Sequence, residues 1–426
     1  MLSLIVRAGS GLLLTVAVAF TSTFSGVVTD ATSGQPIPSA IVTLGSKVVQ
    51  ADAKGQFRID GTGPKLAARA YGYGRAQLTA TSSNTQRLEL KLRAVRPRGV
   101  YLSFWGVGTA AVREPVLKLA DEGLINAIVI DVKGDLGYLS FQTGIPLASA
   151  IGAQKTTTIR DVHALLDRLH KQGIYAIGRI VTFKDNTLCT ARPELAAQRD
   201  KKTFKDREGL AWCDPFLPDV RNYNIDIAVA AAKAGFDEIE FDYVRFPDAK
   251  GVEFSQESTD ESRPKTIDLF LKDARQKLLP YNVFLSADVF GYICWNQGDT
   301  GIGQKIMDVT QILDYVSPML YPSGFSFGIP KYRDPVSHPY EIVRLTLDRA
   351  GQRTTVDPVR FRPWLQGFAD YAFDRRQFTG REIQAQIKAA NDFHSDGWLL
   401  WNPRNVYSSA DISGTTQQSA ARTLPR

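Results

Sequence analysis

Two aspartates hold the first chemical interest: Asp242 in the stretch EIEFDYVRF and Asp288 in VFLSADVFG. In an extended chain successive side chains alternate between faces, so residues two apart share one. Glu238, Glu240, Asp242 and Val244 therefore face one way, and Ile239, Phe241 and Tyr243 the other. The apolar set has to pack on helices, which turns Glu240 and Asp242 to the opposite side, with Asp242 nearer the carboxyl end. The same alternation sets Ser286 and Asp288 against Leu285, Ala287 and Val289, and it groups Val129 with Asp131 and Lys133. Neighbouring strands lie ~4.8 Å apart, so Asp242 and Asp288 reach a common mouth if their strands are adjacent. Two carboxyl groups over one cleft suit cleavage of a glycosidic bond. One stays ionised as nucleophile or base, and the other, its pKa raised, protonates the leaving oxygen. The competing reading of each acid is a buried structural hydrogen-bonder.

The supporting residues follow from the same parity. Glu240 lies deeper, where a catalytic role and an ion pair with Arg179 of YAIGRIVTF stand as equal alternatives. Asp131 either pairs with Lys133 or orients a substrate, and Lys133 and Arg179 stand with it among the candidate substrate-binding residues. Arg245, close behind Asp242, orients that carboxylate or holds substrate. Flat rings stack on sugar faces as well as filling cores, and Trp105, Tyr321 and Trp401 are the aromatic candidates at the strand ends. Asn402 is placed to hydrogen-bond a hydroxyl.

Eight strands are needed to position this set. They read as Gly99–Val107, Asn126–Gly134, Tyr175–Phe183, Glu238–Phe246, Val283–Gly291, Asp314–Pro322, Arg362–Phe368 and Gly397–Pro403. Helical segments with glycine stops separate them, as in Ile159–Gln172 before Gly173, Val220–Ala234 before Gly235, and Arg381–Ser395 ahead of Gly397. Near-continuous apolar strands alternating with helices predict an α/β fold with a covered parallel sheet, and eight such units predict a (β/α)8 TIM barrel. An open doubly wound sheet is the alternative. It wants a glycine-rich phosphate turn after the first strand, and none follows.

Ahead of the barrel the text changes. Residues 24–94 hold short β-branched alternations split by turn clusters such as TSGQP and DAKG, the pattern of a small all-β sandwich. The hinge AVRPR ends it. Residues 1–22 carry one charge, Arg7, before the apolar run GLLLTVAVAF, which is short for a ~20-residue membrane span and suits a signal peptide. Export to the periplasm or the extracellular space is the expectation, with no stable membrane span after cleavage. Residues 408–426 read as a flexible tail. Cys189 and Cys213, 24 positions apart, either form a disulfide in an oxidising compartment or remain two thiols, and Cys294 is left as a buried thiol.

Composition narrows the function classes. The net charge of +7 comes from 51 basic and 44 acidic residues with no Lys/Arg block, which disfavours nucleic acid as a partner. Of four histidines, His163, His170 and His394 fall on predicted helices and His338 beside Pro339. No H-x-H or H-E-x-x-H spacing occurs, which disfavours a metal-dependent hydrolase, so no metal or cofactor is expected.

Two resemblances add to this reading. The order GVVTD, GQPIPSAIVTL, ADAKGQFRI resembles the carboxypeptidase regulatory-like (transthyretin-like) module, which implies an accessory domain of exported proteins. The set RGVYLSFWGV, IVIDVKGDLGY, EIEFDYVRFP, SADVFGY, SPMLYPS and GWLLWNP resembles a bacterial family of glycoside-hydrolase-like barrels formerly catalogued as a domain of unknown function. That resemblance implies a TIM barrel distantly related to the α-amylase and α-galactosidase groups. In those groups an aspartate ending strand four is the nucleophile, the position of Asp242 here. Their acid is often a glutamate on strand five, where this chain has Asp288. The expectation is an exported hydrolase of a polysaccharide or oligosaccharide. The alternative is a non-catalytic carbohydrate-binding or scaffold protein with a degenerate barrel.

Overall fold

The computed structural model of the chain describes residues 4–7, 13–16, 22–80 and 88–414. The signal-peptide expectation for residues 1–22 falls largely outside them, the described part being two short antiparallel strands, Leu4–Arg7 and Leu13–Val16. The chain divides into two units. One holds the residues up to Ala94 together with Leu279–Asn282, and the other holds Val95–Leu278 and Val283–Arg426.

In the first unit, strands Gln56–Gly61, Ser22–Asp30 and Leu88–Leu92 form one sheet. Lys47–Gln50, Ile41–Leu44, Lys65–Arg69 and Ala76–Thr79 form a second. Alternation buries one face of each: Val28, Phe57, Ile59, Leu90 and Leu92 from the first sheet share an apolar core with Val42, Leu44, Leu66 and Ala68 from the second.

The second unit is a closed barrel of eight parallel strands in sequential order. They are β1 Arg98–Leu102, β2 Ala127–Lys133, β3 Tyr175–Val181, β4 Glu238–Asp242, β5 Phe284–Phe290, β6 Tyr315–Met319, β7 Trp364–Gln366 and β8 Trp398–Trp401. Helices cover them from outside. Pro218–Ala234 ends at Gly235, whose φ of 118° suits a residue without a Cβ, and Gly380–Asp392 starts with a Thr379/Glu382 capping box. Among the described residues no helix is long and apolar enough to cross a membrane.

Several strands stop short of their expected ends. β1 halts at Leu102 because Ser103 caps a helix, Phe104–Gly108, its Oγ accepting from the Gly106 N–H. β4 halts at Asp242 because Tyr243 takes a left-handed φ of 50°. Beyond Trp401, Ser409–Ser413 is a short helix held by Gln384, which donates to the Asp411 carbonyl at 2.8 Å. The segment expected as tail is therefore ordered at its start, while 415–426 lie outside the described residues. Cys189 and Cys213 place their Sγ atoms 2.8 Å apart, and Cys294 is buried elsewhere.

The barrel interior is filled by Tyr101, Ala127, Val129, Tyr175, Ile177, Phe284, Tyr315, Trp364 and Leu399. At its amino-terminal end sits a buried ion network. Arg362 donates to both oxygens of Glu238 at 2.9 and 2.8 Å and to Asp396 at 2.7 Å, while the Tyr175 hydroxyl donates to Glu238 at 2.9 Å. Removing one partner of a buried pair strands the other's charge. Arg362→Met should therefore cost about 3–5 kcal/mol in denaturant unfolding. A loss under about 1 kcal/mol, the size typical of an exposed pair, would show that the network is solvated.

Candidate functional site

The carboxyl-terminal mouth is organised by Arg179, which the inward parity of β3 carries into the barrel. Its Nη1 donates to Asp131 on β2 at 2.6 Å. Nη2 and Nε donate to the same oxygen of Asp242 on β4, at 2.5 and 3.0 Å. The guanidinium also lies 4.9 Å from the Trp401 ring centroid and 5.4 Å from that of Tyr101. Tyr101 and Trp401 stack on each other at 3.9 Å. Asp131 is completed on its far side by the Tyr101 hydroxyl at 2.7 Å and the Phe104 N–H at 3.0 Å. Arg179 is thereby spent on carboxylates rather than left free for substrate, and its partners are Asp131 and Asp242, not Glu240.

Asp288 on β5 has a different environment. The Trp364 indole N–H donates to its Oδ1 at 2.6 Å, and its Oδ2 stands 3.9 Å from Arg179 Nε. The same Nε lies 3.0 Å from Asp242, which brings the two carboxyl groups within about 7 Å of each other. Burial, then the charges of Glu240 and Asp242, push the Asp288 carboxyl well above the usual range. Glu240 lies beneath it. Its Oε1 accepts from Ser317 Oγ at 2.8 Å, and burial followed by repulsion from Glu238 raises its pKa to about 7. The other oxygen of Glu240 is buried with no hydrogen-bond partner among the described residues. A proton on Asp288 would satisfy it, since two facing carboxylates cannot hydrogen-bond without one.

Above these groups opens a cleft of ≈ 320 Å³ lined by both aspartates, Arg179, Arg245, Tyr321 and Trp401. That is within the size range of small-ligand sites. Tyr321 is half-buried beside the acids. Burial, then the charges of Asp288 and Asp242, push its phenol well up.

Three expected binding residues stand elsewhere. Lys133 leaves the barrel interior because β2 bulges at Val132. Asp131 pairs with Arg179 and Lys133 already with Ile180, so one extra residue reverses the parity. The Lys133 ammonium is instead buried against Asp185 at 2.8 Å and Asn224 at 2.7 Å. Trp105 sits on the helix after β1, 57% exposed and outside the cleft lining. Asn402 spends both amide hydrogens on the carbonyls of Gly367 and Val406, at 2.7 and 2.9 Å, and so braces a loop. The alternation argument also passed over residues that matter. Tyr101 and Trp364 share the inward parity of their strands, a signal that was present. Asp135, half-exposed in the lining and 3.7 Å from Arg179, lies in a loop where no period applies.

The Glu240–Asp288 pair makes stability depend on pH. A carboxyl whose folded pKa exceeds its unfolded value, ~4.3 for Glu, adds stability that is full below that value and is lost as pH rises to the folded one. For Glu240 the loss runs up to about pH 7. Glu240→Gln removes that titration and one cause of the Asp288 shift. The fall in unfolding free energy between pH 5 and pH 8 should shrink, by on the order of 1–3 kcal/mol. An unchanged fall would show that the pair does not titrate in this window.

Comparison with known proteins bears on fold and family. No curated protein matches this sequence. Among solved structures, a hypothetical protein from Ruminiclostridium thermocellum ATCC 27405 is 39% identical, covering 45% of this chain and 97% of its own, with a TM-score of 0.40. The PgaB (BpsB) glycoside hydrolase domain from Bordetella bronchiseptica is 12% identical, with 75% and 97% coverage and a TM-score of 0.53, a likeness of fold. A GH18 chitinase from Pseudoalteromonas aurantia is 11% identical, with 74% and 98% coverage and a TM-score of 0.45. Residues 99–407, the whole barrel, match the family described as a putative glycosyl hydrolase domain. With that match spanning most of its length, the chain belongs to the putative glycosyl hydrolase domain family.

Proposed function

We propose that the protein is an exported glycoside hydrolase that cleaves a polysaccharide or oligosaccharide with Asp242 as nucleophile or base and Asp288 as general acid. The observation that carries this is the unequal treatment of two carboxyl groups in one cleft. Asp242 takes two hydrogen bonds from Arg179, whereas Asp288 is pushed toward its protonated form. Glycosidic cleavage needs that division, because one group meets positive charge developing at the anomeric carbon while the other delivers a proton to the departing oxygen. Glu240, whose charge helps raise the Asp288 carboxyl, tunes the acid rather than touching substrate. Trp401 and Tyr321 supply ring faces for the sugar. The apolar run before residue 22 supports export to the periplasm or beyond, and the motifs of residues 24–94 support an accessory carboxypeptidase regulatory-like module.

Turnover tests the assignment. Purified protein offered a panel of bacterial and plant polysaccharides should generate new reducing ends on at least one. Asp242→Asn should abolish turnover on every substrate while oligosaccharide binding persists. Asp288→Asn should lose ~10²–10⁴-fold on substrates with poor leaving groups, the usual contribution of a positioned acid, and much less on activated aryl glycosides. Equal losses on both substrate types would remove Asp288 from the acid role. Binding without any hydrolysis by the wild type would point to a carbohydrate-binding protein instead.

A further inference from the structure

Past Arg245 the main cleft continues into a second depression of ≈ 450 Å³, the two sharing Tyr243, Arg245, Asp248 and Phe290. Five cations line it: Lys184, Arg199, Lys205, Arg207 and Arg245. Lys184 is neutralised by Asp206 at 3.2 Å and Glu208 at 2.5 Å. Among the described residues, no carboxylate lies within ion-pair distance of the other four, and Asp248 is the one acid of the lining outside the Lys184 pairs. The depression therefore carries a surplus of positive charge.

Arg245 is built into it rather than trailing in solvent. Its guanidinium carbon lies 4.7 Å from the Trp212 ring centroid and 5.3 Å from that of Tyr243, and Nη1 donates to the Phe246 carbonyl at 3.0 Å. Stacking fixes the plane of the fork, and among the described residues its other N–H groups have no acceptor. Burial pushes this guanidinium's pKa down and outweighs the opposing pull of Tyr243, Asp242, Asp248 and Asp206, none of which pairs with it directly. Arg199 repeats the pattern. It lies 4.6 Å from the Phe204 ring centroid, donates from Nη2 to the Lys250 carbonyl at 2.7 Å, and buries an Nε with no acceptor. A neutral sugar does not compensate cations held in this way. A carboxylate or sulfate does, through paired N–H donors of the planar fork.

We propose that this depression is a subsite for a sugar bearing an anionic substituent, a carboxylate or a sulfate ester, with Arg245 as its receptor and Arg199 reinforcing the field. The inference rests on the glycoside hydrolase reading and narrows its substrate to acidic polysaccharides. Because Arg245 lines the main cleft together with Asp242, the acidic sugar sits close to the scissile bond.

Calorimetric binding to Asp242→Asn protein keeps this question apart from turnover. The probes are oligogalacturonate and oligomannuronate, each beside its carboxyl-reduced form, and a sulfated galactan oligosaccharide beside its desulfated form. At least one charged probe should bind about tenfold or more tightly than its neutral counterpart, as the loss of a charge-assisted hydrogen bond implies. That preference should weaken with added salt. Arg245→Gln on the same background should erase it, and Arg245→Lys should restore part of it. If Arg245→Gln proves unfolded by thermal melting, Arg199→Gln should reduce the preference in its place. Whether the uronates or the sulfated probe respond distinguishes the two anions. Neutral forms binding as well as charged ones, no charged probe binding, or a preference that survives Arg245→Gln would overturn the subsite. Those results leave the hydrolase reading standing, since it falls only on absent turnover by the wild type.

Discussion

The mouth of the barrel depends on one buried guanidinium. Arg179 is almost wholly removed from water, and such a cation is tolerable only when carboxylates compensate it. Asp131 and Asp242 do so from the strands on either side, which locks β2, β3 and β4 into one arrangement at their carboxyl ends. Asp131 is secured in turn by Tyr101 of β1, and the Tyr101–Trp401 stack under the guanidinium brings in β8. Replacing Arg179 with an apolar residue would leave two acids buried without their counterion. The position of Asp242 is therefore as fixed as the barrel itself.

The same cation creates the contrast on which the proposed chemistry turns. It donates twice to Asp242 and only approaches Asp288 at 3.9 Å. Asp288 is left with the Trp364 indole and with Glu240, an acid that sits below it and competes for the same proton. The amino-terminal end of the barrel handles charge differently. There Arg362 faces Glu238 and Asp396 in a sealed network, an arrangement suited to holding structure rather than to shifting protons. One fold thus carries a structural ion network at one end and an unevenly compensated one at the other.

Much of this was legible in the sequence, because a period of two, combined with apolar outer faces, leaves few choices. It placed Asp131, Arg179, Glu240, Asp242 and Asp288 inside the barrel, and the strand–helix alternation indicated eight units. It failed where the period itself breaks. An inserted residue at Val132 turns Lys133 outward, and Ser103 ends β1 before Trp105 can line the mouth. Asn402 illustrates a different limit: its amide is satisfied by loop carbonyls that are distant in sequence or irregular in geometry. The Trp364–Asp288 hydrogen bond and the stacking of Arg245 on Trp212 leave no trace in the sequence, since both join elements whose spacing no local pattern encodes.

The proposed division of labour stands on the Asp288 carboxyl being pushed toward its protonated form beside an Asp242 that Arg179 hydrogen-bonds. Carbon-13 NMR of carboxyl-labelled aspartates, followed against pH, reads the protonation states directly, with Asp288 assigned by the signal that Asp288→Asn removes. The Asp288 carboxyl should ionise at distinctly higher pH than the exposed aspartates, which ionise at ~3.9. An Asp288 signal that ionises in step with the bulk carboxylates would contradict this reading.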